Sequence, residues 1–383
     1  MAVDSFPSAN YAHEFPLDEN LIYLNHAAVG PWPRRSADAV QRFAEENAVH
    51  GARHYPRWTK IETALREQCR LLLNAPSAAD IALLKNTSEG LSVIAYGLPW
   101  QAGDNVVISD QEFPSNRIVW ESLSALGVEC REAVLGADPE QALFARVDQR
   151  TRLLAISSVQ YASGLRMDLA RIGEFCRERG ILFCVDAIQT LGALPLDVLA
   201  IHADFVVADG HKWLLGPEGL AIFYCRAERR DQLQLRQYGW HMVEQLGDYD
   251  RRDWQPARSA RRFECGSPNM LGIHALHASL SLLLEVGMQR VAQGVLDNAA
   301  YLIEQLRTLP DVELLSPADR ARHAGIVTFR HRQIDGTALW RALAERGVIC
   351  AARGGGVRFS PHFHITRKQL DRAIESLRVC IRD

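Results

Sequence analysis

The sequence predicts an α/β protein: a large unit built on a mostly parallel, doubly wound sheet, followed by a small α+β unit. Three observations lead there. Apolar runs such as Ile181–Val185 and residues 204–208 have the length and continuity of strands buried on both faces. These runs alternate with stretches of helical periodicity, the pattern of repeated strand–helix units. The chain has 383 residues, more than the roughly 250–300 at which a single hydrophobic core stops growing, so a second unit is expected.

Composition narrows the function classes. Hydrophobic residues make up 48% of the chain and charged residues 23%, ordinary values for a globular protein with a solvated surface. A formal net charge of −3 carries no electrostatic footprint for nucleic acid or an anionic membrane. The eight cysteines are scattered, without a C-x-x-C pair or a Cys/His cluster at zinc spacing. Neither a disulfide framework nor a metal site is therefore expected. The opening stretch, MAVDSFPSANYAHEF, lacks the basic-then-apolar layout of a signal peptide, and no apolar run is long enough to span a bilayer. A cytoplasmic enzyme is the expectation.

Taken in order, residues 1–20 form a polar arm, 21–255 the large unit and 256–383 the small one. Leu21 to Pro33, LIYLNHAAVGPWP, reads as a short strand opening into a Gly/Pro-rich loop. Residues 36–73 are helical in period, broken at 51–56, where Arg53, His54 and Tyr55 make a basic turn that is given no role. Residues 81–97 read as a strand, a turn and a helix beginning near Ser88. Amides at a helix start suit a phosphate, although an ordinary N-cap accounts equally for Thr87 and Ser88 in isolation. Further strands are expected at 104–110, 128–135 and 152–159. Residues 226–260, rich in Arg, Asp, Gln and Trp with little periodicity, read as the connection between the units. Beyond 271, helices alternate with strands at Gly325–Phe329, Val348–Ala352 and Val357–Ser360.

Two of the apolar runs deliver chemistry. Asp186 stands at the carboxyl end of the first, where open α/β sheets bind ligands. The run at 204–208 leads into a Gly-His-Lys-Trp turn that sets Lys212 between apolar segments. A buried acid and a buried lysine, taken alone, fit a structural ion pair as well as a catalytic set. Their neighbours favour chemistry, because Gln189 follows Asp186 at short spacing and His211 precedes Lys212. Pyridoxal phosphate asks for a lysine amine at its aldehyde, an acid at its ring nitrogen, a donor at its phenolic oxygen and several donors on its phosphate.

The motif Val185-Asp186-Ala187-Ile188-Gln189, followed by Gly210-His211-Lys212, resembles the class V aminotransferase and cysteine-desulfurase-like branch of the fold-type I pyridoxal phosphate enzymes. The resemblance covers about residues 20–370. It implies pyridoxal 5'-phosphate as cofactor, with Lys212 as the Schiff-base lysine, Asp186 at the ring nitrogen and Gln189 at the phenolic oxygen. It sets Thr87 and Ser88, in Asn86-Thr87-Ser88-Glu89-Gly90, on the phosphate, and counts His211 with the cofactor contacts. Ser267, in Phe263-Glu264-Cys265-Gly266-Ser267-Pro268-Asn269, would reach the phosphate of a second subunit's cofactor, which implies a homodimer with shared active sites. Asn25, His26, Ala27 and Ala28 would line the substrate entrance, and Arg358 would hold the α-carboxylate of an amino-acid substrate.

The chain departs from the family pattern at three places. Phe113 stands where desulfurases stack a histidine on the cofactor; it can stack but cannot move protons. Tyr161 replaces an asparagine near the substrate carboxylate. Asp209 fills a position where many relatives have a phosphate-binding serine, and since a carboxylate repels phosphate it is expected to point away.

The resemblance also bears on the reaction. A desulfurase attacks the substrate sulfur with a cysteine on a flexible loop between the last two strands. Here that link is only Arg353 to Gly356 and holds none, and Cys350 lies in an apolar run, where it is expected to be buried and inert. The Arg-Gly-Gly-Gly link followed by Val-Arg-Phe-Ser-Pro-His-Phe is nearer the isopenicillin-N-epimerase-like and kynureninase-like side. The leading expectation is an enzyme that takes an amino acid into an external aldimine and completes transamination, epimerisation or a β- or γ-elimination, with Lys212 as acid and base. The alternative is a cysteine desulfurase or selenocysteine lyase-type C–S(e) lyase. A non-catalytic cofactor-binding protein is the third class, and would leave Arg358 without a purpose.

Overall fold

The structure is a computed structural model describing residues 8–382. A 3-10 helix, Ser8–Glu14, leads to β1 (Ile22–Tyr23), α1 (Arg34–His50) and α2 (Tyr55–Leu73). The alternating part runs β2 (Ile81–Leu84), α3 (Thr87–Gly97), β3 (Asn105–Ser109), α4 (Ser115–Glu121), β4 (Glu129–Ala133), α5 (Pro139–Phe144), β5 (Thr151–Ser157), α6 (Leu169–Arg179), β6 (Leu182–Asp186), β7 (Phe205–Asp209) and β8 (Ala221–Cys225). It is followed by α7 (Met270–Val286), α8 (Met288–Arg307), β9 (Val312–Leu314), β10 (Val327–His331), α9 (Gly336–Glu345), β11 (Val348–Ile349), β12 (Ala351–Arg353), β13 (Gly356–Phe359) and α10 (Arg367–Cys380).

The large sheet has seven strands in the order β2-β8-β7-β6-β5-β3-β4. All of its ladders are parallel except the two that β8 makes with β7 and β2, so the expected mostly parallel sheet is present. Strands β6, β7 and β8 are buried at every position, which is why each reads as a continuous apolar run. One polar group ends each of β6 and β7, Asp186 and Asp209, both at the carboxyl edge. The small sheet is antiparallel, in the order β12-β13-β10-β9.

The division between the units differs from the one expected. Residues 226–260 do not carry the chain away from the large unit. They return it there, since Phe263 packs in the core below β8 and Ile273, Leu276, Leu280 and Leu283 of α7 pack in the core shared with α2. The physical reason is that α7 is apolar around most of its circumference, and only the large unit's helical layer can cover such a helix. The passage comes instead at Gly287, where α7 and α8 meet at 85°. Helix α8 spans the junction, with Val291 and Val295 in the large core and Leu302 and Leu306 in the small one. Likewise β1, counted from sequence with the large unit, pairs in parallel with β11 and buries Ile22 and Leu24 in the small core. The segment that follows β1 therefore crosses from one unit to the other.

Residues 1–7 of the expected arm lie outside the described residues. Within the described part of the arm Glu14 and Phe15 are buried, the Phe15 ring stacked on His364 at 3.5 Å between centroids, while Pro16 and residues 18–20 are exposed. Among the described residues no single helix is long and apolar enough to cross a membrane.

Candidate active site

Strands β2, β3, β5, β6 and β7 all end on one edge of the large sheet, and the residues just past those ends face a common cavity of about 260 Å³. It is lined by Thr87 and Ser88 after β2, Phe113 after β3, Tyr161 after β5, Asp186 and Gln189 from β6, and Asp209, His211 and Lys212 from β7. The small unit supplies Arg353 and Arg358, and the crossing segment supplies Ala27 and Ala28. Most of the residues singled out from sequence thus meet in one place, as the carboxyl edge of a doubly wound sheet requires.

The wall at Thr87 is a helix start. The Asn86 side chain accepts from the Glu89 amide at 2.8 Å, and Glu89 Oε2 in turn accepts from the Lys85 amide at 2.6 Å. The capping takes up the Glu89 amide, and the Thr87 and Ser88 amides at the very start of the helix keep no intrahelical partner. The Thr87 hydroxyl is buried and has no hydrogen-bond partner, while Ser88 donates to Ser115 at 2.8 Å. A buried orphan hydroxyl beside free helix-start amides is the donor set a phosphate would satisfy.

On the floor, Asp186 is 2% exposed and accepts from the Ile188 amide at 3.0 Å. Burial, helped by the nearby Glu112 carboxylate, pushes its pKa up, against the pull of the Ile188 amide and the Lys212 cation. Lys212 is itself buried, and that burial, with Arg358 nearby, holds its ammonium below the usual lysine range although Asp186 acts the other way. The ring of Phe113 lies 5.5 Å from Lys212 Nζ and meets Tyr161 edge-on at 5.2 Å.

The backbone around Lys212 is held from two sides. The Gly30 amide donates to His211 O at 2.7 Å, and a Cβ at Gly30 would stand 2.3 Å from Lys212 O, one at Gly192 2.3 Å from Trp213 O. Only glycine permits both approaches.

Arg358 is the group most in need of a ligand. Its guanidinium is 2% exposed, Nη1 donates to Tyr161 O at 2.8 Å, and Nε has no partner. No carboxylate of the described residues pairs with it. Burial, then the neighbouring Arg353, push its pKa down to about 10. A buried cation facing a cavity without a counter-ion leaves an anion to be supplied from outside.

Three expectations are corrected, those for Asp209, His26 and Asn25. Asp209 does not point away: it lines the cavity with Oδ1 3.0 Å from His211 Nδ1, and the imidazole offers a counter-charge when protonated. That contact has ion-pair distance without hydrogen-bond alignment. Gln189 reaches the cavity but its amide is committed, Nε2 donating to Ala27 O at 3.1 Å and Oε1 accepting from Trp213 Nε1 at 2.8 Å, which leaves one N–H for a ligand. His26 is absent from the entrance; it is fully buried, bonded through Nδ1 to Ser360 O at 3.0 Å and set among Trp213, His362 and His364. Asn25 is bridged to Ser360, also away from the cavity. Both are drawn off because the backbone there pairs with the small unit. Ser267 is exposed and does not line its own chain's cavity.

Sequence reasoning missed Glu112. This buried carboxylate accepts from Ser109 Oγ, Asn116 Nδ2, Ser157 N and Oγ, and Gln160 Nε2 at 2.5–3.1 Å. It ties the loop bearing Phe113 to the loop bearing Tyr161. The only sequence signal was an acid just after a buried strand. A second acidic cluster, Glu62, His241 and Glu264, holds Arg66, which bonds Glu264 at 2.6 Å and Glu62 at 2.5 Å.

The chain matches the aminotransferase class-V family over residues 22–379. It is 33% identical over 325 residues to a cysteine desulfurase of Klebsiella pneumoniae, covering 81% of this chain and 77% of that one. It is 30% identical over 391 residues to a probable cysteine desulfurase of Methanothermobacter thermautotrophicus, covering 95% and 96%. Among solved structures, the cysteine desulfurase CsdA of Escherichia coli superposes with a TM-score of 0.88 at 23% identity over 99% of both chains. The cystine C-S lyase C-DES, solved with its product cysteine persulfide, superposes with a TM-score of 0.87 at 23% identity over 95% of this chain and 98% of that one. At those identities the superpositions show the shared fold.

Proposed function

The chain belongs to the aminotransferase class-V family and is a pyridoxal-phosphate-dependent enzyme, and from that premise we propose that it binds an α-amino acid through Arg358 and moves a proton at the α-carbon with Lys212. The observation that carries this reading is the buried, counter-ion-free Arg358 in the same cavity as Lys212 and Asp186.

When bound, pyridoxal phosphate supplies an electron sink for charge that develops at the substrate's α-carbon. The first-turn amides of α3 with Thr87 and Ser88 would hold its phosphate, Asp186 would pair with the ring nitrogen and keep it protonated, and the remaining Gln189 N–H would serve the phenolic oxygen. Phe113 offers an apolar face to the ring. Arg358 orients the substrate through a two-point grip on its carboxylate. Burial lowers the affinity of Lys212 for its proton, so the amine can take one from carbon near neutral pH and return it. Transfer of that proton to the cofactor's own carbon, to the opposite face of the α-carbon or to a leaving group would separate transamination, epimerisation and elimination.

No cysteine lines the cavity. The link between β12 and β13 is a two-residue turn in which Gly354 and Gly355 have φ of 60° and 77°, the left-handed region a tight hairpin demands. Cys350 is buried, and burial pushes its thiol up to about 12, out of reach of a thiolate role. These features favour proton chemistry at carbon over attack by a protein thiol. The second reading, a cysteine desulfurase or C–S(e) lyase, is supported by the curated relatives, and an elimination that releases sulfur needs no thiol of its own. A homodimer sharing its sites through Ser267, in a reducing cytoplasm that suits eight free cysteines, completes the proposal.

The test is direct. The purified holoprotein should be yellow, and borohydride should fix the cofactor on the peptide that carries Lys212. In deuterated water it should exchange the α-hydrogen of its amino-acid ligand, and Lys212→Ala should stop that exchange. A protein that takes up no pyridoxal phosphate, or exchange that survives Lys212→Ala, refutes the reading.

A further inference from the structure

We propose that the amino acid taken by this cavity carries a second anionic group on its side chain, and that Arg353 selects for it. The inference rests on the reading above, in which Arg358 holds the α-carboxylate, and it concerns the opposite end of the same substrate.

The antiparallel register pairs Arg353 with Gly356 and Ala351 with Arg358. Because side chains alternate along a strand, Arg353 and Arg358 lie on one face of the β12–β13 hairpin as diagonal cross-strand neighbours, a separation of roughly 7–8 Å between backbone positions. Both line the cavity that contains Lys212. Like charges so placed repel, and the effect registers on Arg358, whose pKa Arg353 helps to depress. Sheets ordinarily set an acid beside such a cation. Here none is set: Arg353 makes one bond, from Nη1 to Ala352 O at 3.1 Å, and no carboxylate of the described residues pairs with either arginine.

The cavity's own acids do not fill the gap. Asp186 would be taken by the ring nitrogen of the bound cofactor, and Asp209 stands against His211. Glu218, exposed at the same cavity, makes no ion pair with either arginine. One α-carboxylate neutralises Arg358 and leaves Arg353 unmatched. An ω-carboxylate or sulfonate on a short side chain would meet it.

The hairpin also makes Arg353 a defined wall. Gly354 and Gly355 close the turn at left-handed φ, and a Cβ on Gly354 would touch Ala162, next to Tyr161, at 3.4 Å. Gly354 approaches the large unit at Ala162, while Arg353, Gly354 and Gly355 are exposed, so the head of Arg353 is free to bond a ligand at the cavity's rim.

The experiment is a calorimetric titration of the holoenzyme with aspartate, glutamate and cysteate against asparagine, glutamine and alanine. The wild type should bind the acids about tenfold more tightly than the matching amides, the value of one charge-assisted contact discounted for exposure. Arg353→Gln should bring that ratio close to one with alanine affinity little altered, and Arg353→Lys should restore part of it. Arg358→Ala should weaken every ligand. Equal binding of acids and amides by the wild type would overturn the inference while leaving the function standing. A loss in Arg353→Gln that is equal for alanine and aspartate would overturn it too, by showing general damage. Absence of binding by any amino acid would overturn both readings together.

Discussion

The Gly30 amide donates to the His211 carbonyl at 2.7 Å, fastening the loop that crosses between the two units to the backbone just before Lys212. The position of the amine is thereby tied to the packing of β1 in the small core, more than 180 positions earlier in the chain.

Gly30→Ala should expose that tie. Its Cβ would fall 2.3 Å from Lys212 O, so either the loop or the lysine backbone must shift, at a cost of about 1–3 kcal/mol. Denaturant unfolding should show a lower midpoint, with weakened cofactor binding. An unchanged midpoint would mean that the loop yields freely.

Arg358 and Cys350 should respond oppositely. Arg358→Ala is expected to cost about 2–5 kcal/mol in substrate binding, and Arg358→Lys to recover only part, since a point charge cannot reproduce the planar fork. The cofactor at Lys212 should be retained in both variants, seen in the absorption spectrum. Cys350→Ser should leave turnover largely intact. If instead it abolished sulfur release from cysteine while Arg358→Ala were harmless, the desulfurase reading would replace the first.

Ser267 is exposed and makes no contribution to its own chain's cavity. Sedimentation should find a homodimer, and Ser267→Ala should lower pyridoxal phosphate affinity about two- to tenfold, the range of one hydrogen bond, with folding unaffected. A fully active monomer would contradict the shared site.

Acid should destabilise the fold through its buried histidines. The ring of His364 stacks on Phe15 and neither nitrogen has a partner. Burial, then His26 and His362, hold its pKa well below 6.5. The unfolded chain therefore binds a proton below pH 6.5 that the native chain refuses, so stability falls as pH drops through that value. His364→Phe removes this contribution, and the loss between pH 7.5 and 5.5 should shrink by about 1 kcal/mol. An identical slope in wild type and variant would show that the ring is solvated.

The sequence by itself determined the sheet and its chemical edge. Continuous apolar runs ending in Asp186 and Asp209, alternating with helical periods, read as strands covered on both faces, and Lys212 between apolar segments stood out by the company of Asp186, Gln189 and His211. The three glycines in Arg353–Gly356 and the absence of a cysteine there were equally visible, because turn geometry and composition are local properties. What the tertiary structure alone decided depends on contacts across long separations. How much of Gln189 is free rests on Ala27 and Trp213. His26 is withdrawn by Ser360, more than 300 positions away, and α7 joins the large unit because α2 offers it an apolar face. The pairing of Arg353 with Arg358 on one face follows from a strand register that no local pattern encodes, since a shift of one residue would have turned one of the two away.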